Sequence, residues 1–548
     1  MSNPATRRWD RETALVAGLA ACISVISFVF YFRHDAVLLY GDAVAHINIA
    51  RRVLDSRTPG LLQLGTVWLP LPHLLMIPFL FSNWAWRTGA GASVPSMIAY
   101  VLGTIGIFRL VRTALSFRTQ SDAAARIAAW LAAIVYAANP NLIYLQATAM
   151  TEALYLALFT WAVVYFFEFA QRAMLADPEL QGAVSSPLMK CGLCLVGACF
   201  TRYDGWFLTL VTLAAAVAVV LKTERPGLTD LRKFALLVVA APALWLGYNA
   251  IIYRNPLEFA NGPYSARAIE QKTSRPGYPP HPGTHNLPVA GSYFLKSAEL
   301  NVADGKWQRL WVVLLLIGTA MSLIFNHRLW PLLLLWVPLP FYMLSIAYGG
   351  VPIFLPEWWP FSYYNVRYGL EILPALAVFA ALAMHFMAGL IRNRTGKVLV
   401  RIAICIFVAG CYWAVWRAQP VCYREAWINS RSRIALEAEL AAKLKTLPAD
   451  STFLMYLGDH VGAVQQAGIP LRRVINEGNH RTWRQPSDPQ GLWERALSNP
   501  AQHADFVVAT KGDPVSTNLQ VKDLIRIAQI QVPGQATTTI FATHSQPQ

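Results

Sequence analysis

The chain has 548 residues, 55% of them hydrophobic and only 14% charged, against about 25% charged in a soluble domain. That balance excludes a water-soluble enzyme, a disordered chain and a fibrous one, and leaves a polytopic membrane protein. Lys and Arg number 46 against 30 Asp and Glu, a formal charge of +16; with no basic run interleaved with aromatics, nucleic acid is not an expected partner, and anionic or phosphorylated membrane lipid is. The seven cysteines are too few and too scattered for a disulfide framework. Cys191 and Cys194, set among Leu and Gly, read as small apolar residues rather than a zinc or redox pair.

In chain order, hydropathy predicts about eleven spans, near 14–32, 93–112, 126–145, 151–170, 187–200, 206–221, 234–253, 308–325, 329–347, 367–391 and 399–416. The apolar segment 67–82 is broken by Pro70, Pro72 and Pro78 and reads as interfacial or re-entrant. The first span follows Arg7, Arg8 and Arg11 and lacks a small-residue cleavage site, so it reads as an anchor. Further basic loops hold Arg109, Arg112, Arg118 and Arg126, then Lys222, Arg225, Arg232 and Lys233, then Arg392, Arg394, Lys397 and Arg401. Their excess marks the cytoplasmic side, which places the N-terminus inside and, with an odd number of spans, the C-terminus outside. Outer loops are then expected at 33–92, 254–306 and 348–366, with the second, rich in Pro and Gly, long enough to act as a lid. The tail 418–548 alternates strand-like and helical stretches (TFLMYL, DHVGAVQQAG, RRVIN, LWERALS, ADFVVAT). It reads as a small α/β domain appended to a membrane domain of residues 1–417. No phosphate-loop motif is present, which argues against an ATP-driven pump.

Four motifs carry ionisable residues at predicted outer ends of spans. In GDAVAHINIARRVLD, Asp42 opens an amphipathic helix, with Val44, Ile47 and Leu54 toward lipid and Asn48, Arg51, Arg52 and Asp55 toward water. Asp42 and His46 share a face; Asp42 is either the helix N-cap or a working carboxylate. In QATAMTEALYL, Glu152 begins a span, where it suits the helix dipole and is equally a functional suspect. In TRYDGW, Arg202 and Asp204 flank Tyr203, as a self-neutralising turn or as a phosphate grip. In YYNVRYGLEILPAL, Arg367 and Glu371 lie at i and i+4 around Tyr368, as an internal ion pair or again a phosphate site. His73, in WLPLPHLL, is a weaker candidate, and Trp358 and Trp359 read as interfacial aromatics. Gathered on one side, acids and bases together suit transfer from a phosphate-linked lipid. A carboxylate can take a proton from a hydroxyl, and guanidinium groups can stabilise a departing phosphate.

These motifs, in this order over residues 10–400, resemble the GT-C superfamily of integral-membrane glycosyltransferases. The likeness is strongest to family 39-like members such as protein O-mannosyltransferases and lipid A aminoarabinose transferases. The resemblance implies a polyprenyl-phosphate sugar donor and an inverting transfer to a hydroxyl of a lipid, glycan or protein acceptor, with the protein sitting in the bacterial cytoplasmic membrane. It implies Asp42 as general base, Glu152 as a second catalytic carboxylate, Arg202 and Arg367 on the donor phosphate, and His46, His73, Tyr203, Asp204, Tyr368 and Glu371 in supporting roles. Many members carry two adjacent acids in the first loop, whereas here Ala43 follows Asp42. With no clustered D-x-D, neither a metal nor another cofactor is expected. A transporter or flippase for a lipid-linked saccharide is the competing class. It would call for mid-span polar residues and internal symmetry. A third class is a non-catalytic scaffold for envelope assembly, in which the Asp42 and Glu152 side chains would be dispensable.

Overall fold

The computed structural model describes residues 10–116, 123–174, 181–224, 227–268, 280–479, 489–519 and 524–543. Arg7, Arg8, Arg118, Arg225 and part of the Pro-Gly stretch after Arg267 lie outside the described residues. Among those described, nine helical segments are long and apolar enough to cross a membrane, from Arg11–Arg33 to Arg394–Leu444. A tenth is formed by Ala123–Ala137 and Pro140–Gln146 together, and Val184–Cys199 is a shorter apolar helix. Ten of the expected spans are met by such segments, and the one expected at 187–200 by the shorter helix, with one change of shape. The span expected at 126–145 is bent by 60°. The bend follows from Asn139, whose side chain caps the second helix by accepting from Asn141 N and Leu142 N, and from Pro140 in its first turn.

Exposed Leu15, Leu19, Ile26 and Phe30 on the first span, and Leu236 and Leu244 on Leu228–Tyr253, present the apolar surface that lipid requires. Glu152–Met174 and Val366–Leu390 run through the middle and are buried along most of their length. Close approach of helices here depends on missing side chains. A Cβ at Gly318 would collide with the Phe379 carbonyl, and one at Gly369 with the Ser297–Ala298 backbone.

Two loop expectations are corrected. Residues Leu287–Val302, expected within a polar outer loop, form a helix capped by the Asn286 side chain on Val289 N. Its residues Ala290, Tyr293, Phe294, Ser297, Ala298 and Asn301 fall at helical spacing and are buried against the bundle. The helix Gly41–Arg52 does not float at a lipid–water boundary. Val44, His46, Ile47, Asn48 and Arg51 are all buried, because the C-terminal domain covers the face expected to meet water. Asn48 donates to Gln465 Oε1 at 2.7 Å and accepts from Trp86 Nε1 at 3.0 Å. Asp55 pairs with Arg51 at 3.1 Å and accepts from the backbone N of Leu471 and Arg472, each at 3.3 Å.

The C-terminal region starts with the helix Val421–Leu444, which follows Pro420 and leads away from the last apolar helix. It continues into a five-stranded sheet of β1 (Phe453–Met455), β2 (Val474–Ile475), β3 (Phe506–Thr510), β4 (Ile525–Ile530) and β5 (Thr538–Ala542). The order is β2-β1-β3-β5-β4, with β1 parallel to β2 and β3, and β5 antiparallel to β3 and β4. The parallel strands are buried throughout, and helices Leu457–Ala467 and Leu492–Ser498 flank them in sequence. All seven cysteines are free.

Candidate active site

The four motifs meet at the end of the helix bundle that faces the C-terminal domain. Arg367 is the centre. Its Nη2 donates to Asp42 Oδ2 at 2.6 Å, its Nε to Glu152 Oε1 at 3.0 Å and its Nη1 to Glu425 Oε1 at 3.0 Å. Arg202 stands beside it. It donates to the Tyr342 hydroxyl at 2.8 Å, to Asp204 Oδ2 at 3.2 Å and to Thr151 Oγ1 at 3.3 Å. It also lies 3.5 Å from both Glu152 Oε1 and Glu371 Oε1. The Tyr368 ring sits between the two guanidinium groups, 4.9 Å from Arg202 and 5.0 Å from Arg367, a cation–π arrangement that keeps both planes oriented. Two cations thus face the five carboxylates of Asp42, Glu152, Asp204, Glu371 and Glu425.

Local folding explains how each group arrives. Glu152 and Asp204 are the first residues of their helices, where the dipole favours an anion; the dipole reading of Glu152 and the self-neutralising pair of Arg202 with Asp204 both stand alongside the cluster. Asp42 is not the N-cap of its helix; Tyr40 occupies that position and Asp42 is left to pair across the molecule. Arg367 does not pair with Glu371. The segment Val366–Ile372 is a 3-10 helix, in which residues four apart point about 120° away from each other. Glu371 therefore turns to Arg202. Glu371 is buried and neither of its oxygens has a hydrogen-bond partner among the described residues.

His46 Nδ1 and His73 Nε2 are 2.8 Å apart, and both rings are buried. Burial, with the charges of Arg367 and Arg202 nearby, pushes His46 down to about 3. Burial and the neighbouring His46 and Arg52 hold His73 well below the usual imidazole range. The pair is neutral near pH 7, one ring donating to the other. Tyr203 is an expected site residue that the structure sets apart. Its hydroxyl donates to the Val67 carbonyl at 2.9 Å and its ring stacks on Phe259 at 4.8 Å. It ties the first loop to the bundle instead of joining the charge cluster.

Besides the Thr151 hydroxyl, two residues of the cluster are not among the sequence candidates. Glu425 lies beyond the last apolar helix, and the signal that could have found it is its spacing with Val421, Cys422 and Ala426 on one buried face. Tyr342 sits inside an apolar helix, in PFYML, with nothing in its neighbourhood to mark it. No group of three His, Cys, Asp or Glu side chains is placed to hold a metal ion among the described residues.

The helices, their order and the appended sheet define a GT-C-like fold. Among solved structures, the chain is similar to ArnT from Cupriavidus metallidurans, determined bound to undecaprenyl phosphate. The TM-score is 0.55 and the identity 15%, over 98% of this chain and 99% of that one. It also aligns with the archaeal oligosaccharyltransferase AglB from Archaeoglobus fulgidus, in complex with an inhibitory peptide and a dolichol-phosphate. There the TM-score is 0.46 and the identity 13%, over 91% of this chain and 69% of that one. No family model and no curated protein sequence matches the chain.

Proposed function

We propose that this chain transfers a sugar from a polyprenyl-phosphate donor to a hydroxyl acceptor, at the outer face of a bacterial cytoplasmic membrane, with its N-terminus inside. The observation that carries this reading is the placement of Asp42. Its side chain is 41% exposed, while every other carboxylate paired with Arg202 or Arg367 is nearly inaccessible. An accessible carboxylate paired with a buried guanidinium, with a second, largely inaccessible one in the same cluster, is what a base-assisted displacement from a phosphate requires.

In the reaction, Asp42 takes the proton of the acceptor hydroxyl, and that oxygen bonds to the anomeric carbon. The bond from this carbon to the phosphate oxygen breaks with its electron pair going to the phosphate. The products are the glycosylated acceptor with inverted configuration, polyprenyl phosphate and a protonated Asp42. Arg367 and Arg202 stabilise the charge gathering on the leaving phosphate, and Glu152 holds both in place. No cofactor takes part, and the acceptor is a lipid, glycan or protein hydroxyl. The ligand bound to ArnT, undecaprenyl phosphate, has the chemistry of the product released here.

The test is turnover of purified protein against a panel of polyprenyl-phosphate sugars, following release of polyprenyl phosphate with and without envelope extract. Extract-dependent release, lost in Asp42→Asn, supports the reading. Binding of every donor with no release from any would overturn it and favour transport of a lipid-linked saccharide.

A further inference from the structure

The three carboxylates around Arg367 are not equivalent. Glu152 and Glu425 hold Nε and Nη1 with side chains only 1% and 2% exposed, whereas Asp42 holds Nη2 with a side chain 41% exposed. Glu425 is fixed from a second direction as well, because its Oε2 accepts from Val366 N at 2.7 Å. It thus grips both the guanidinium and the backbone immediately before it. Of the three paired nitrogens of Arg367, Nη2 is thus the one held by an accessible partner.

We propose that Glu425 is a positioning residue that holds Arg367 from its buried side, and that a lipid phosphate binds by displacing Asp42 from Nη2. The proposal rests on the lipid-phosphate reading above. Its consequence is an order of events. While Asp42 is paired, its Oδ2 is engaged by the guanidinium and only Oδ1 is left to meet a hydroxyl. Once phosphate oxygens take over Nη2, in the charge-assisted geometry that guanidinium offers, Asp42 is released as a base beside the bound donor. Acceptor activation then follows donor binding, and a lone acceptor meets a base with one oxygen still held by Arg367.

The experiment measures binding of undecaprenyl phosphate in detergent micelles to the full chain by calorimetry, for the wild type, Asp42→Asn and Glu425→Gln, with a melting curve for each. Exchange predicts a Kd at least tenfold lower in Asp42→Asn, since the competing anion is gone. Glu425→Gln loses the same single charge but is expected to bind several-fold more weakly. Its donor KM should rise more than its kcat falls, because Arg367 loses its rear anchor. If Glu425→Gln does not fold, Glu425→Asp, which keeps the charge and shortens the reach, is expected to weaken binding likewise. An unchanged or higher Kd in Asp42→Asn overturns the exchange alone. Equal tightening in both charge-removing variants assigns the effect to net charge and overturns it too. No binding by the wild type overturns the lipid-phosphate reading itself, and the exchange with it.

Discussion

Arg367 Nε and Glu152 Oε1 stand 3.0 Å apart, although 215 residues separate them along the chain. The same Glu152 oxygen is 3.5 Å from Arg202, so one buried carboxylate couples two guanidinium groups, one from the turn before Asp204–Thr223 and one from the 3-10 segment Val366–Ile372. Charges taken out of water this far are tolerated only when they are mutually paired. The cluster is therefore a structural commitment as well as a chemical one, and the two roles separate under mutation.

Arg367→Ala leaves Glu425 buried without its cation and Glu152 with only the longer contact to Arg202. Losing one member of a buried ion pair is destabilising by about 3–5 kcal/mol. The expected outcome is a marked drop in melting temperature in detergent together with loss of turnover. A variant that melts like the wild type would show that the cluster is not holding the helices together.

Asp42→Asn touches the accessible rim of the same cluster. Its effect on stability is expected to stay within about 1 kcal/mol, the range of an exposed pair, while turnover falls by roughly 100- to 10,000-fold, as for removal of a general base. Release of polyprenyl phosphate and thermal melting on the same preparation check both halves. Retained turnover would move the base elsewhere in the cluster, with Glu152 next in line.

Gly369 lies two residues after Arg367, where its α-carbon rests on the Ser297–Ala298 backbone of the helix Leu287–Val302. Backbone cannot move aside as a flexible side chain can. Gly369→Ala is expected to destabilise by about 1–3 kcal/mol and to lower turnover by displacing Arg367 and Tyr368. Normal melting and normal activity in this variant would contradict the close approach.

The buried His46–His73 pair predicts an acid sensitivity. Burial, aided by Arg367 and Arg202, brings His46 down to about 3, whereas an exposed imidazole titrates near 6.5. The unfolded chain then takes up protons that the folded one refuses, so stability falls as pH drops below about 6.5 and keeps falling toward 3. Melting temperature against pH should show this slope in the wild type and a shallower one in His46→Gln/His73→Gln. Equal slopes would place the acid sensitivity in other groups.

Much of the site is legible in the sequence. Asp42, Glu152, Arg202 and Arg367 each stand out because an ionisable residue at the end of an apolar run is costly unless it has a purpose or a partner. Their partners are not legible there. Arg367 and Glu371 look paired at i and i+4, but that inference assumes an α-helix, and a local 3-10 path sends Glu371 to Arg202 instead. Glu425 is inconspicuous because it follows the last span, in a segment whose polarity suggests a separate soluble unit. In fact the helix that carries it begins against the bundle, with Tyr40 donating to the Cys422 carbonyl at 2.9 Å.

By itself, the sequence determined that this is a polytopic helical membrane protein with an α/β appendage, because hydrophobic run length and residue alternation are properties of local stretches and need no partner. It also determined which residues were chemically conspicuous. Only the tertiary structure decided that the polar face of Gly41–Arg52 is covered, that Leu287–Val302 is packed as a helix, and that three carboxylates divide one guanidinium among them. Those outcomes depend on which surfaces are removed from water and which charges can then compensate one another. Both are set by contacts between segments tens to hundreds of residues apart, and sequence spacing holds no record of them.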